Sequence, residues 1–94
     1  MIIQHRDNGK KGAFYLEKDN DVIAELTYVW AGEKKFIIEH TEVAENLEGQ
    51  GVGKELVRSA VEFARENHVT VIPLCTYANA VIQRTKEFQD VLDK

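Results

Sequence analysis

The sequence predicts an α/β fold of the α+β kind, in the order β-β-β-α-β-α, with a mostly antiparallel twisted sheet and one parallel β-α-β crossover. Three observations carry this. The first half alternates apolar and polar residues between turn signals. The second half changes to a helical period. One short, almost wholly apolar run then lies between two helical stretches. At 94 residues the chain supports one small core of two packed layers, so a single domain over residues 1–94 is expected. No repeat, linker or low-complexity stretch interrupts it.

Turn-forming residues at Asp7 to Gly12, Lys18 to Asp21 and Ala31 to Lys34 set the strand boundaries. Ala13 to Lys18 carries Phe14 and Leu16 on one face. In Val22 to Trp30, Val22, Ala24, Leu26, Tyr28 and Trp30 share one face, while Glu25 and Thr27 mark the other as the wetter. Phe36 to Val43 is a third strand, rich in β-branched residues. Short turns between the three read as an antiparallel meander. From Gly51 to about Asn67, Val52, Leu56, Val57, Ala60, Val61, Phe63 and Ala64 recur at helical spacing with charges mostly elsewhere on the wheel. Val69 to Leu74 reads as a buried strand that Pro73 should end. Val81, Ile82, Thr85, Phe88, Val91 and Leu92 predict a second helix. The first helix is a crossover, so the strands it joins should be parallel.

Twelve Lys and Arg against sixteen Asp and Glu give a net charge of −4, all of it in residues 1–50. This argues against nucleic acid, which wants a basic face. An anionic small ligand needs only a local positive pocket, and the neutral second half is the place to look for one. The single cysteine, Cys75, excludes an internal disulfide and points to a reducing cytoplasm. The N-terminus has no apolar secretion signal, and no apolar run approaches the roughly 18 residues that span a bilayer, so no membrane partner is expected. No metal is expected either. His5, His40 and His68 fall in different elements, and the Asp19 and Asp21 pair loses the calcium-loop pattern at Ile23. Trp30 is expected to pack against the sheet. An exposed edge strand can pair two copies, so a monomer or weak dimer is expected.

The most informative segment is Leu47-Glu48-Gly49-Gln50-Gly51-Val52-Gly53-Lys54, where a strand ends and a long helix begins. Three alternate glycines leave the backbone uncovered, so that N–H groups can cradle an anion at the positive end of the helix dipole. Glu48 and Glu55 break the Walker pattern, and the glycine spacing breaks the dinucleotide fingerprint. A flexible loop is the plain alternative. Each glycine inside a helix nevertheless costs about 1 kcal/mol against alanine, which suggests a backbone requirement.

Strand, glycine turn and helix together resemble the acyl-CoA signature of the GNAT acetyltransferases, Arg/Gln-x-x-Gly-x-Gly/Ala, with Gly51 and Gly53 in the last two positions. Glu48 departs from the first position, where Gln50 is the nearest substitute. Nearly the whole chain looks like the short, single-module members of that family. The resemblance is carried by Ile38-Glu39-His40-Thr41-Glu42-Val43, by Leu47 to Gly53, and by Ile72-Pro73-Leu74-Cys75-Thr76-Tyr77. Phe88 matches an aromatic near the end of the family's last helix, although Glu87 stands where a proline often precedes it. The resemblance implies acetyl-CoA as co-substrate, bound between the third strand and the Val69 to Leu74 strand, and an N-acetyltransferase acting on an unknown amine. Val43, Gly49, Gln50, Gly51, Val52, Gly53, Lys54 and Arg84 are the candidate contacts to acetyl-CoA.

Acetyl transfer needs a held carrier, a polarised thioester, a neutral amine and a proton for the departing thiolate. Lys54, Arg58, Arg84 and Lys86 can add charge around the carrier, or simply form solvated helix faces. Cys75 is a candidate nucleophile just before the last helix, or a small buried hydrophobe lining the pocket during direct transfer. His40 is the candidate base, expected on one face with Phe36, Ile38 and Glu42. Glu39 is then expected opposite, with Ile37, Thr41 and Val43, unless a bulge re-aims one of them. Tyr77 is a candidate proton donor or a packing anchor. At this length the helices that wall off the acceptor in longer GNAT enzymes are not expected, which leaves a non-catalytic acyl-CoA-binding or regulatory module, or a small interaction protein, as alternatives.

Overall fold

The computed structural model describes residues 1–94 and resolves the alternating first half into four strands, one more than expected. They are β1 (Gln4–Asp7), β2 (Lys11–Lys18), β3 (Asp21–Trp30) and β4 (Lys35–Val43), each antiparallel to the next. Local turn chemistry joins them. The Asp7 carboxylate accepts the Gly9 N–H at 2.7 Å, and the Asn8 side-chain oxygen accepts the N–H groups of Lys10 and Lys11 at 2.9 Å. Asp19 and Asn20 both adopt positive φ, 53° and 69°, the two-residue turn whose twist suits a hairpin.

A 3₁₀ turn (Glu45–Leu47) leads to α1 (Val52–Glu66), β5 (Thr70–Pro73), α2 (Thr76–Arg84) and a second 3₁₀ turn (Lys86–Val91). Strand order is β1-β2-β3-β4-β5, and β5 runs parallel to β4, as the crossover requires. Both helices pack on one face of the sheet. Leu56, Val57, Ala60 and Val61 of α1 meet Leu26, Tyr28, Phe36 and Ile38, with Ala78 and Ile82 of α2 completing the cluster. Trp30 packs edge-on against Phe36, 5.5 Å between ring centres. No helix is long and apolar enough to cross a membrane.

β1 is held by side chains rather than by an apolar face. Its four residues are exposed, yet His5 stacks on Phe14 at 4.1 Å, and the buried Tyr28 reaches out to it. Tyr28 donates its hydroxyl proton to Asp7 Oδ2 at 2.5 Å, and Trp30 Nε1 donates to the same oxygen at 2.8 Å. With that proton committed, His5 Nε2, 2.7 Å from the Tyr28 oxygen, must be the donor in their bond. The lack of a side chain at Gly12 makes this possible, because a β-carbon there would collide with the Tyr28 hydroxyl.

The network makes folding acid-sensitive. Burial favours neutral His5, whose pKa is lowered despite the attraction of Asp7. For Asp7, partial burial raises the pKa, but the hydrogen bonds from Tyr28, the Gly9 amide and Trp30, with the charge of His5, outweigh it and lower the value. Both folded values lie below the unfolded ones. Both contributions are therefore complete above the unfolded pKa and lost as pH falls, His5 first and Asp7 at lower pH. The urea midpoint should drop between pH 7.5 and 5.5. In His5→Phe, which keeps the stack on Phe14, that first drop should shrink. An unchanged slope in the variant would show that another group carries it.

Two other expectations change. The last helix does not run through to Leu92. It stops at Arg84, Thr85 is extended at φ −121° and ψ 96°, and the chain resumes as a 3₁₀ turn. The Arg65 guanidinium fastens that turn to the end of α1, bonding the Asp90 carboxylate at 2.6 and 2.8 Å and the Glu87 carbonyl at 2.8 Å. Phe88 and Val91 still reach the core. Leu92 then bridges Val71 in parallel, and Asp93 bonds the Val71 carbonyl and the Thr70 hydroxyl, which covers the outer edge of β5.

The second change is in β4. Its pairing with β3 slips between Ile38 opposite Tyr28 and His40 opposite Thr27, which leaves Glu39 as an extra residue. Beyond this bulge the alternation reverses. Thr41 pairs with the buried Leu26 and so joins the helix-covered face, while His40 pairs with Thr27 on the open face. The expected placements of His40 with Ile38, and of Thr41 and Val43 opposite, are thus both inverted.

Candidate functional site

β4 and β5 pair only from Lys35 opposite Thr70 to Ile38 opposite Pro73. Pro73 has no N–H with which to continue the ladder. The Ile38 carbonyl accepts both the Leu74 and Cys75 N–H groups at 3.1 Å, turning the chain away into α2. The two strands part there, and the bulge at Glu39 lies at the same level. A cleft of about 490 Å³ opens beyond it, lined by Thr41, Val43, Leu47, Glu48, Gly49, Gly51, Val52, Gly53 and Tyr77.

Three glycines line the cleft for two reasons. Gly49 and Gly51 have φ of 83° and 78°, a left-handed conformation that side chains resist, and a β-carbon on either would meet only open space. Gly51 is the N-cap of α1, so the N–H groups of the first turn have no partner inside the helix and face the turn. This cradle suits a phosphate or pyrophosphate. Gly53 has ordinary helical backbone. A β-carbon there would strike the hydroxyl and ring of Tyr77.

Cys75 caps α2 at the far side of the same opening, partly buried, with its thiol donating to the Thr41 hydroxyl at 3.4 Å. Burial pushes the thiol pKa up. The Thr41 hydroxyl and the N–H groups of Tyr77, Ala78 and Thr41 favour the thiolate and outweigh burial, so the net shift is downward.

The structure therefore gathers Val43, Gly49, Gly51, Val52, Gly53 and Tyr77 around one space, with Cys75 joined to it through Thr41. Four sequence candidates stand apart. His40 is exposed on the open face, Gln50 turns its amide back to the Asn46 carbonyl at 3.2 Å, and Lys54 and Arg84 are exposed outside the lining. Arg58 is engaged with Glu55 at 3.2 Å and with the Phe88 ring. Thr41 and Leu47 were not singled out as site residues by the sequence reading, and only the register of β4 against β3 reveals Thr41. No three His, Cys, Asp or Glu side chains gather as metal ligands do. On the open face, Glu39 and Thr27 border a second depression of about 350 Å³ together with Arg6 and Lys11.

The sequence profile described as GCN5-related N-acetyl-transferase matches residues 13–91, from β2 through the second 3₁₀ turn. The chain belongs to the GCN5-related N-acetyltransferase family. Its fold agrees with that of a GCN5-like protein from Staphylococcus aureus solved in solution. The two are 35% identical, with a TM-score of 0.74 over 96% of this chain and 87% of that one. Protein NATD1 of Xenopus tropicalis is 30% identical over 60 residues, 64% of this chain and 55% of that protein, so the match spans about half of that relative. A GNAT family acetyltransferase from Elizabethkingia anophelis, crystallised with acetyl-CoA bound, shares the fold at TM-score 0.62 and 14% identity, over 80% of this chain and 52% of that one.

Proposed function

We propose that this GNAT-family chain is an N-acetyltransferase that uses acetyl-CoA and delivers acetyl to an amine. One observation carries the reading: the cleft where β4 and β5 part runs from a backbone cradle at Gly49 and Gly51 to Thr41, whose hydroxyl meets the thiol of Cys75. Acetyl-CoA supplies an acetyl thioester on a pyrophosphate-bearing carrier. The N–H groups at the start of α1 hold the pyrophosphate, and Val43, Leu47 and Val52 offer an apolar wall to the carrier's arm. Lys54 and Arg84 add long-range positive charge from outside the lining. Glu48 opposes it, because it puts a carboxylate beside the cradle where the family has a basic or amide group.

The Tyr77 hydroxyl makes no hydrogen bond within the protein, which suits it to donate a proton to the departing thiolate. Removal of the amine proton is assigned to Glu39 and His40, which the bulge leaves on the open side of β4. The strand connections from β1 to β4 are short turns, so no helix covers that side between them. Cys75 acts in one of two ways. In a relay, its thiolate takes the acetyl group and releases the carrier thiol, and the amine then takes the acetyl group. In direct transfer it only lines the path.

A second reading, a non-catalytic acyl-CoA-binding module, is favoured by Glu48 and by the uncovered acceptor side. One experiment separates them. Amide shifts are followed by NMR during titration with acetyl-CoA, with desacetyl coenzyme A as control, and an amine panel is then screened by mass spectrometry. Shifts at Gly49 to Lys54 and at Cys75, with an acetylated amine, are expected. Shifts without any product would establish the module. No shift at millimolar cofactor would overturn both readings and leave an interaction protein.

A further inference from the structure

Tyr77 and Gly53 belong to different helices, and each explains the other. The three heavy atoms nearest to a β-carbon built on Gly53 are all in Tyr77: the hydroxyl oxygen, Cζ and Cε2. Gly53 does not need glycine for its backbone, since its φ is not positive, unlike those of Gly49 and Gly51. Tyr77 in turn is 42% exposed, so the core does not hold its ring. It is the second residue of α2, immediately after the Cys75 cap and Thr76, and the first bond of that helix runs from the Asn79 N–H to the Cys75 carbonyl at 2.9 Å.

We propose that Gly53 is a positioning residue for the reacting end of the cleft: its missing side chain is the seat of the Tyr77 ring, and that seat fixes the first turn of α2 and the Cys75 cap against the start of α1. The glycine turn then has two separate functions. Gly49 and Gly51 shape the anion cradle, while Gly53 sets the angle at which the second helix approaches it. A methyl group at Gly53 must displace the ring, and the N–H groups of Tyr77 and Ala78 move with it. The thiolate at Cys75 loses their support. In the proposed activity, on which this assignment of a positioning role rests, the Tyr77 hydroxyl is displaced as well.

The test is a double-mutant cycle of Gly53→Ala and Tyr77→Ala, with Tyr77→Phe as an intermediate. Two readouts need no cofactor: melting temperature and the pH dependence of Cys75 alkylation by iodoacetamide. Alanine is the better helix former, so propensity alone predicts that Gly53→Ala raises the melting temperature. The seat predicts a fall instead, with the alkylation midpoint moving up by about one pH unit, a tenfold loss of thiolate. In the Tyr77→Ala background both effects should vanish, and Gly53→Ala should turn stabilising. Tyr77→Phe should relieve only part, because the ring carbons still obstruct. Folding of the double variant where Gly53→Ala alone fails to fold would also support the seat.

Equal losses in both backgrounds, failure of both variants to fold, or an unmoved thiol in Gly53→Ala would overturn the proposal. Where turnover is found, Gly53→Ala should lower kcat with little change in KM for acetyl-CoA. A rise in KM alone would return Gly53 to the cradle. Coupling present in a protein that binds no acetyl-CoA would remove the proposed activity and leave the seat intact.

Discussion

Gly51→Trp is expected to abolish acetyl-CoA binding in a protein that still folds. Gly51 caps α1 at φ 78°, and its missing side chain points into open space in the cleft. An indole there covers the N–H groups assigned to the pyrophosphate. Left-handed backbone costs a side-chain-bearing residue about 1–2 kcal/mol, against a total stability of about 5–15 kcal/mol for a typical domain. The fold should survive with a melting point lower by about 4–16 °C. Affinity measured by calorimetry should fall more than about 100-fold, or about 2.7 kcal/mol. Gly51→Ala isolates the strain, since its methyl group fills little of the cleft. Wild-type affinity in the tryptophan variant would move the ligand elsewhere.

Tyr28→Phe should cost about 1.5–3 kcal/mol, the range for a hydrogen bond to a charged group, and nearer its lower end because water can reach Asp7. The ring stays buried, so packing is nearly conserved. The loss is the hydroxyl that joins Asp7 to His5, the two residues that hold β1 to the sheet. Urea unfolding would give the magnitude. Hydrogen exchange would give the location: amides in β1 and its partner residues on β2 should lose protection before those of β3 and β4. Uniform loss across the sheet would mean that the hydroxyl serves the core as a whole. An unchanged midpoint would mean that it serves neither.

Both results depend on what alternation can reveal. α1 was legible because its apolar stripe repeats over four turns and all of that stripe is buried except Phe63, which is half-buried. The β2 to β4 meander was legible from alternation between turn signals, although bulges at Ile23 and Glu39 turn Val22 outward and reverse the end of β4, and Pro73 marked the end of β5 from its missing N–H alone. β1 was not. Gln-His-Arg-Asp carries no apolar period, and its stability comes from Phe14, Tyr28 and Trp30, which are adjacent only after folding. The glycine turn announced a backbone requirement, yet the separate reason for Gly53 lies in a tyrosine on another helix. Thr41 escaped notice because its neighbourhood depends on how β4 registers against β3. Thr85 carries no proline or glycine to signal the break in the last helix, which comes from tethers that Arg65 throws across from α1.

The bulge at Glu39 has a consequence for how this site tolerates change. Every side chain of β4 from His40 onward keeps its direction because one surplus residue is bulged out of the ladder, whatever that residue is. Substitution at Glu39 leaves the phase of the strand untouched. Its deletion would close the ladder with Ile38 still opposite Tyr28 and His40 still opposite Thr27, whereas drawing Glu39 into the ladder would rotate the rest of the segment by half a turn, presenting His40 and Glu42 to the helices and swinging Thr41 and Val43 out to water. The wall of the cleft is therefore written in the register of the strand, and a comparison of related chains that tracks identities alone would miss a slip of pairing that dismantles it.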